Sequence, residues 1–366
     1  MRVCHITSAH PQEDTRILYK ECCTLSQAGH EVFLLSYGKT YMKFGVHIIG
    51  LERRPTRRLA RIVSGASRIV KKAIEIDAEV YHLHDPELLP YIPKLKRAGK
   101  KVIFDSHEDV PQQILEKEWL LAPRLVSRVY SWLERHYLKK ADAVIGVTPY
   151  LVERLANINP KAVMVTNYPV LENNGHLKES VSHDKYLCFV GRVASVWEHL
   201  SVIEALQEIK DVRYVLCGPV DTPSYLDMLR SKDANGVLDY RGIVTPQERQ
   251  ELYKRALAGI CWLKPSPNVS GNYGSLGVNK MFEQMAAGIP IIASDFILWA
   301  EIIQRYQCGI VLSSGDIEGL KKAVTFLLEN QSEAQQMGLN GRRAVEEEYN
   351  WDTQSKTLED LYEQLL

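Results

Sequence analysis

Residues 271–295, GNYGSLGVNKMFEQMAAGIPIIASD, decide how this chain is read. A glycine-containing loop runs into a helix-forming stretch, and IPIIASD then reads as a buried strand. The first turns of that helix carry Lys280 and Glu283. Free backbone amides, the helix dipole and the Lys280 ammonium therefore converge on one point, which suits a diphosphate. Glu283, three residues after Lys280, lies near the same face, where its two oxygens can accept hydrogen bonds from a vicinal diol. Spacing alone is equally met by a solvated helix glutamate and by glycines that serve turn geometry only. A second segment, FVGRVASVWEHLSVIEA at residues 189–205, has the same strand-then-helix form, and Arg192 just beyond FVG supplies an independent phosphate donor.

Outward from these segments, short apolar runs alternate with amphipathic stretches. RVCHITS, a helical pattern over residues 15–28, HEVFLLS, a basic helix, EVYHLHD, KVIFDSH and DAVIGVT come first. After Tyr168 the polar segment LENNGHLKESVSHD breaks the pattern, which restarts at KYLCFVG, VRYVLCG, GICWL and IPIIASD. That rhythm predicts an α/β protein with two Rossmann-like parallel-sheet domains in tandem, whose ligand crevices face a central cleft. The expected division is 1–170 for the front domain, 171–184 for the linker and 185–345 for the back domain. Residues 346–366 are expected to form a terminal helix that packs back on the front domain.

A length of 366 residues agrees with two domains, since single cores stop growing at about 250 to 300 residues. At 45% hydrophobic and 25% charged, the composition excludes collagen-like, disordered and membrane-embedded classes. No apolar run reaches the ~18 residues of a bilayer span, and MRVCHITSAHP lacks a secretory start, so a cytoplasmic location is expected. Seven cysteines without a CxxC pair read as reduced thiols. The chain is neutral overall, which argues against nucleic-acid binding. Its halves differ, however: residues 1–180 hold 27 Lys and Arg against 20 Asp and Glu, and residues 181–366 hold 18 against 25.

The front-domain strand ends are rich in polar groups: HITSAHPQEDTR after the first strand, YHLHDPE at residues 81–87 and FDSHEDV at residues 104–110. An imidazole or carboxylate at such an end can move a proton or bind a hydroxyl. His107, among Asp105, Glu108 and Asp109, is read as functional. His82, alternating with His84 on a strand, is read as a packed or capping residue. His82, His84 and Asp85 also resemble part of a metal site, which opens a metal-dependent hydrolase reading, but no third and fourth ligands stand at a fixed spacing.

Taken together, HPQEDTRI, YHLHDPELLP, FDSHEDVPQQIL, ADAVIGVTPYLVERL, FVGR, RGIV, NKMFEQMAAGIPIIASDF and YNWD resemble, in order, a glycosyltransferase of family 4 with the GT-B fold. The resemblance implies transfer of a sugar from a nucleotide diphosphate sugar to a glycan or lipid-linked acceptor, in polysaccharide or glycoconjugate biosynthesis. It also implies retention of configuration, with no essential metal and no cofactor beyond the donor substrate. Position by position, Glu283 resembles the second glutamate of an E-x7-E motif that holds the ribose, and Arg192 resembles the diphosphate arginine. His107 resembles a histidine near the reacting centre. Ile243 and Val244 resemble the segment bordering the nucleobase. Ser275, Leu276, Gly277, Val278 and Asn279 resemble the loop whose amides meet the sugar and distal phosphate. His10, Asp14, Arg16 and His84 are the acceptor-side candidates, and Lys280 joins His107 and Arg192 as a catalytic one.

Two positions depart from the family. The first glutamate of E-x7-E is Ser275, and the usual lysine five residues after the arginine is Trp197, with Lys280 or Lys264 left to compensate. These departures keep a non-catalytic GT-B protein that binds a nucleotide or partner as the alternative. Residues 53–74, RRPTRRLARIVSGASRIVKKAI, set Leu59, Ile62, Val63, Ala66, Ile69, Val70 and Ile74 on one stripe. Arg57, Arg58, Arg61, Arg68, Lys71 and Lys72 lie beside it, so salt-sensitive binding to an anionic membrane surface is expected.

Overall fold

A computed structural model describes residues 1–52, 64–115, 117, 120–171, 184–266 and 269–365. The chain forms two compact units, Met1–Asn167 with Trp351–Leu366, and Tyr168–Asn350. Their borders fall at Asn167 and Asn350 rather than at 170 and 345, and the linker expected at 171–184 lies mostly in residues 172–183, outside the described residues.

The first unit holds an eight-stranded sheet of order β3-β4-β2-β1-β5-β6-β7-β8. Its strands are β1 Arg2–Ile6, β2 Glu31–Tyr37, β3 Tyr41–Lys43, β4 Val46–Leu51, β5 Val80–Leu83, β6 Lys101–Ser106, β7 Ala143–Gly146 and β8 Ala162–Met164. All pairings are parallel except that of the edge strand β3 with β4. Val32 to Ser36 are buried in succession because helices cover both faces of such a sheet. One of those faces is closed by the terminal helix Trp351–Glu363, whose Trp351, Leu358, Leu361 and Tyr362 pack with Ile17, Leu25, Val32 and Leu34. The expected helix over residues 15–28 is instead a π-type segment, Ile17–Cys22, followed by a short α-helix, Cys23–Gln27. Helix Ala66–Ile74 buries Ala66, Ile69, Val70 and Ala73 and leaves Arg68, Lys71 and Lys72 exposed. Arg57, Arg58, Leu59, Arg61, Ile62 and Val63 lie outside the described residues.

The second unit holds six parallel strands in the order β11-β10-β9-β12-β13-β14. They are β9 Asp184–Val190, β10 Arg213–Cys217, β11 Leu238–Gly242, β12 Ala256–Cys261, β13 Ile291–Ser294 and β14 Gly309–Leu312. The strand order reverses between β9 and β12 here, and between β1 and β5 in the first unit. In open sheets of this kind, ligands bind beyond the carboxyl ends of the strands at the reversal. Among the described residues no helix is long and apolar enough to cross a membrane.

Candidate functional site

In the second unit, β9 ends at Val190 and leads into Gly191 and Arg192, and two close approaches require glycine at Gly191 and at Gly218 beyond β10. A Cβ on Gly218 would lie 1.9 Å from the Gly191 carbonyl oxygen, and one on Gly191 would lie 1.9 Å from Lys280 Cε. Gly191 thus admits the Lys280 side chain at the position before Arg192. Lys280 Nζ sits 4.9 Å from the centroid of the Trp197 ring and 5.5 Å from that of Phe189. Burial lowers the Lys280 pKa, and the neighbouring Glu283 carboxylate works in the opposite direction. The aromatic faces keep a partly desolvated ammonium favourable. Arg192 is largely exposed and ion-paired with Asp221.

Lys280 and Glu283 belong to helix Asn279–Ala286, which has no side-chain N-cap. Glu283 receives Arg249 Nη1 at 3.2 Å, so its carboxylate is held outward by a cation from helix Pro246–Arg255. Ser275 is buried. Its hydroxyl accepts the Gly277 amide at 3.1 Å and its carbonyl accepts Trp299 Nε1 at 3.0 Å. The serine is therefore committed to the turn of its own loop, and the Gly277 amide, expected to face a ligand, is spent inside it. Leu276 is buried, whereas Val278 and Asn279 are half-buried. Ile243 is exposed just past β11, and Val244 packs beside it against the Tyr186 and Tyr253 cluster.

In the first unit, β1, β5 and β6 are neighbours, with His5 in register with His82 and His82 with Ile103. A chain of hydrogen bonds runs through this layer. His107 Nε2 is 3.1 Å from His84 Nδ1, His84 Nε2 is 2.9 Å from His5 Nδ1, and His5 Nε2 is 3.4 Å from the Tyr362 hydroxyl, which is 2.8 Å from His82 Nδ1. Burial lowers the pKa of His5 and His82 well below the ordinary value and takes His84 down to about 4, so these three rings are neutral. Each then carries one proton, and the chain can be satisfied head to tail in either direction.

The Asp105 carboxylate selects one of them. Its Oδ2 lies 3.2 Å from His107 Nε2, 3.6 Å from His84 Nδ1 and 4.0 Å from His82 Nε2; the shortest of these favours the proton on His107 Nε2, which leaves His84 Nδ1 as the acceptor. His107 then donates from Nε2 and keeps Nδ1 as an acceptor. Burial of Asp105 disfavours its charge, but Arg16 and His107 outweigh that and hold its pKa well below the usual range. Glu21 goes the other way: burial, only partly offset by Arg16, raises its pKa and keeps it neutral.

Two acceptor-side expectations need correction. Arg16 is buried, with its guanidinium on both Asp105 oxygens, on the Val165 carbonyl at 2.8 Å and beside Glu21 at 2.8 Å. His84 is buried behind His107. Both support the site from within and neither can touch an acceptor. His10 and Asp14 remain partly exposed, and the His10 ring stands 4.8 Å from that of His107. Burial of His10 opposes its charge, but the hydrogen bond to Asp14 and the charge of Asp85 prevail and raise its pKa.

Among the described residues two groups of ligating side chains come close enough to hold a metal ion: His5, Glu21, His82 and His84, and His84, Asp105 and His107. The combination of His82, His84 and Asp85 does not form. Asp85 instead accepts Thr7 Oγ1 at 2.8 Å and the amides of Ser8 and Ala9 at 2.6 and 3.2 Å. Sequence reading missed His5, Glu21, Tyr362 and Arg249. The polar His5 within an apolar strand was a usable signal; for Tyr362, in the last turn of a terminal helix, there was none.

Two family models match the chain: a glycosyl transferase 4-like domain over residues 16–169 and glycosyl transferases group 1 over residues 176–344. The chain belongs to this glycosyltransferase family, family 4. Alpha-maltose-1-phosphate synthase of Mycobacterium tuberculosis is 24% identical, with 99% of each chain covered. Phosphatidyl-myo-inositol mannosyltransferase of Mycobacterium leprae is 24% identical over 81% of this chain and 76% of that protein. HepE of Anabaena, solved in complex with UDP and glucose, covers the whole of both chains with a TM-score of 0.75 at 12% identity, a likeness that shows the GT-B fold alone.

Proposed function

We propose that this glycosyltransferase takes a hexosyl group from a nucleoside diphosphate sugar and passes it, with retention and without a metal, to a glycan or lipid-linked acceptor. The observation that carries the reading is the placement of Lys280 against Gly191, the residue before Arg192, from a helix whose start has no side-chain cap. Cleavage of the sugar–phosphate bond leaves negative charge on the diphosphate, and two cations with helix amides stabilise it. Glu283 receives the ribose diol. His107, its tautomer set from behind, accepts a donor hydroxyl at Nδ1. The departing phosphate oxygen takes the acceptor proton. Named relatives support this reading: HepE was solved with UDP and glucose, and one curated relative is a mannosyltransferase of a phosphatidyl-myo-inositol.

A non-catalytic binding role draws on Ser275, whose hydroxyl is occupied within its loop and cannot replace a sugar-binding carboxylate. A calorimetric screen of UDP, GDP, ADP and CMP sugars, followed by donor turnover with an acceptor panel, separates the two. Tight binding of one donor with transfer or slow donor hydrolysis supports the enzyme. Binding without any turnover favours the binding role.

A further inference from the structure

Helix Pro123–Leu138 is docked by one face and bare on the other. Inward, Ser127, Glu134 and Leu138 are buried; Ser127 Oγ donates to the Pro111 carbonyl at 2.9 Å, and Glu134 is ion-paired with Arg154. Outward, Leu125, Val129 and Trp132 are 63%, 51% and 64% exposed, and Leu121 just before the helix is fully exposed. Their spacing of four, four and three residues makes one continuous stripe. Arg124, Arg128, Arg135 and Lys139 are exposed in a row along one side of it, and none has an ion-pair partner among the described residues. Glu134, the only acid between residues 121 and 140, is buried.

An apolar stripe this exposed marks a docking surface. Its occupant has to accept four bases along one edge of the stripe and offer no site for an acid. A second copy of the chain, meeting it about a twofold axis, would bring the same basic helix and no carboxylates. An anionic bilayer fits both halves: leucine and valine enter the acyl boundary, tryptophan sits at headgroup level, and the arginines meet lipid phosphates. We propose that helix Pro123–Leu138 lies in the plane of an anionic membrane surface and is the element by which this chain docks there. Of the stretch expected to do so, residues 53–74, helix Ala66–Ile74 packs Ala66, Ile69, Val70 and Ala73 in the core, and residues 53–63 lie outside the described residues. The proposal stands apart from the catalytic reading. It also bears on it, because the helix packs on Val110–Leu115, which begins three residues after His107.

The test is cosedimentation of the full chain with vesicles of phosphatidylcholine alone or mixed with phosphatidylglycerol, at low and high salt. Wild type is expected to bind the mixed vesicles at low salt and to leave them at high salt. Leu125→Glu with Trp132→Glu, and separately Arg124→Glu with Arg128→Glu and Arg135→Glu, should each lower partitioning about tenfold or more. Val129→Cys carrying an environment-sensitive fluorophore, in a Cys23→Ser background, should shift to the blue on the mixed vesicles while leaving the rest of the stripe native. Failure of wild type to bind, or binding by both helix variants equal to wild type, overturns the proposal. So does loss of binding only when Arg57, Arg58 and Arg61 become Glu. A dimer in sedimentation velocity that Leu125→Glu dissociates, without vesicle binding, would assign the stripe to a second copy instead.

Discussion

The ammonium of Lys280 rests 4.9 Å from the centroid of the Trp197 ring, so the cation left to compensate for the missing lysine is in contact with the residue that stands in its place. Trp197 stands where the family resemblance implies a lysine, and helix Asn279–Ala286 brings the Lys280 cation to its aromatic face. Lys280→Met keeps the length and loses the charge. In the proposed function its charge acts on the leaving diphosphate, so kcat for transfer or donor hydrolysis should fall on the order of 100-fold, with a smaller change in KM. A variant with unchanged kcat would remove Lys280 from the mechanism.

Arg249 Nη1 donates to the Glu283 carboxylate at 3.2 Å, and in the proposed function that carboxylate accepts the ribose diol. Glu283→Ala should weaken binding of the cognate nucleoside diphosphate by about 2 kcal/mol, as expected for hydrogen bonds to a charged acceptor. Glu283→Gln, which retains an acceptor oxygen, should lose less. Equal affinity of all three proteins by titration calorimetry would reject the ribose assignment.

The relay behind His107 passes through Tyr362 of the terminal helix to His82. With Asp105 setting its direction, nitrogen-15 spectra should show the His107 ring protonated at Nε2 and bare at Nδ1. Asp105→Asn should redistribute that tautomer. Tyr362→Phe breaks the links to His5 and His82 and should alter the shifts of those rings while the fold persists. A His107 Nδ1–H tautomer in wild type would mean that the carboxylate does not order the chain.

How much of this was legible before folding depended on the kind of contact. The doubly wound sheets showed in strand-and-helix rhythm, because both faces of a parallel sheet are buried and its strands are plainly apolar. Lys280 and Glu283 were legible because local helix spacing places them. Arg16 and His84 were misread as acceptor-side groups, since strand-end position predicts the right layer but not depth within it. His84 points into the sheet, and Arg16 is drawn in by two buried acids. Tyr362 was invisible for a different reason: it reaches His82 across 280 residues of chain, and nothing local marks that pairing.

The buried histidines also predict how stability depends on pH. A ring held neutral in the folded protein, with its pKa below the unfolded 6.5, binds its proton more readily when unfolded. Its contribution is therefore full above pH 6.5 and is lost as pH falls toward the folded value. For His84 that window runs from 6.5 down to about 4 and is worth on the order of 3 kcal/mol. His5 and His82 shift in the same direction and add to the slope. Asp105, also depressed, loses its share only below the ordinary carboxylate range. Glu21 opposes them, because its raised pKa makes the folded state the better proton binder as pH falls. The net expectation is a steep decline in thermal midpoint between pH 6.5 and 4, well before general acid unfolding. His82→Asn, which keeps a polar side chain without a titrating ring, should flatten that decline measurably. A midpoint that stays level across this window in wild type would show that the buried rings are already charged in the folded protein.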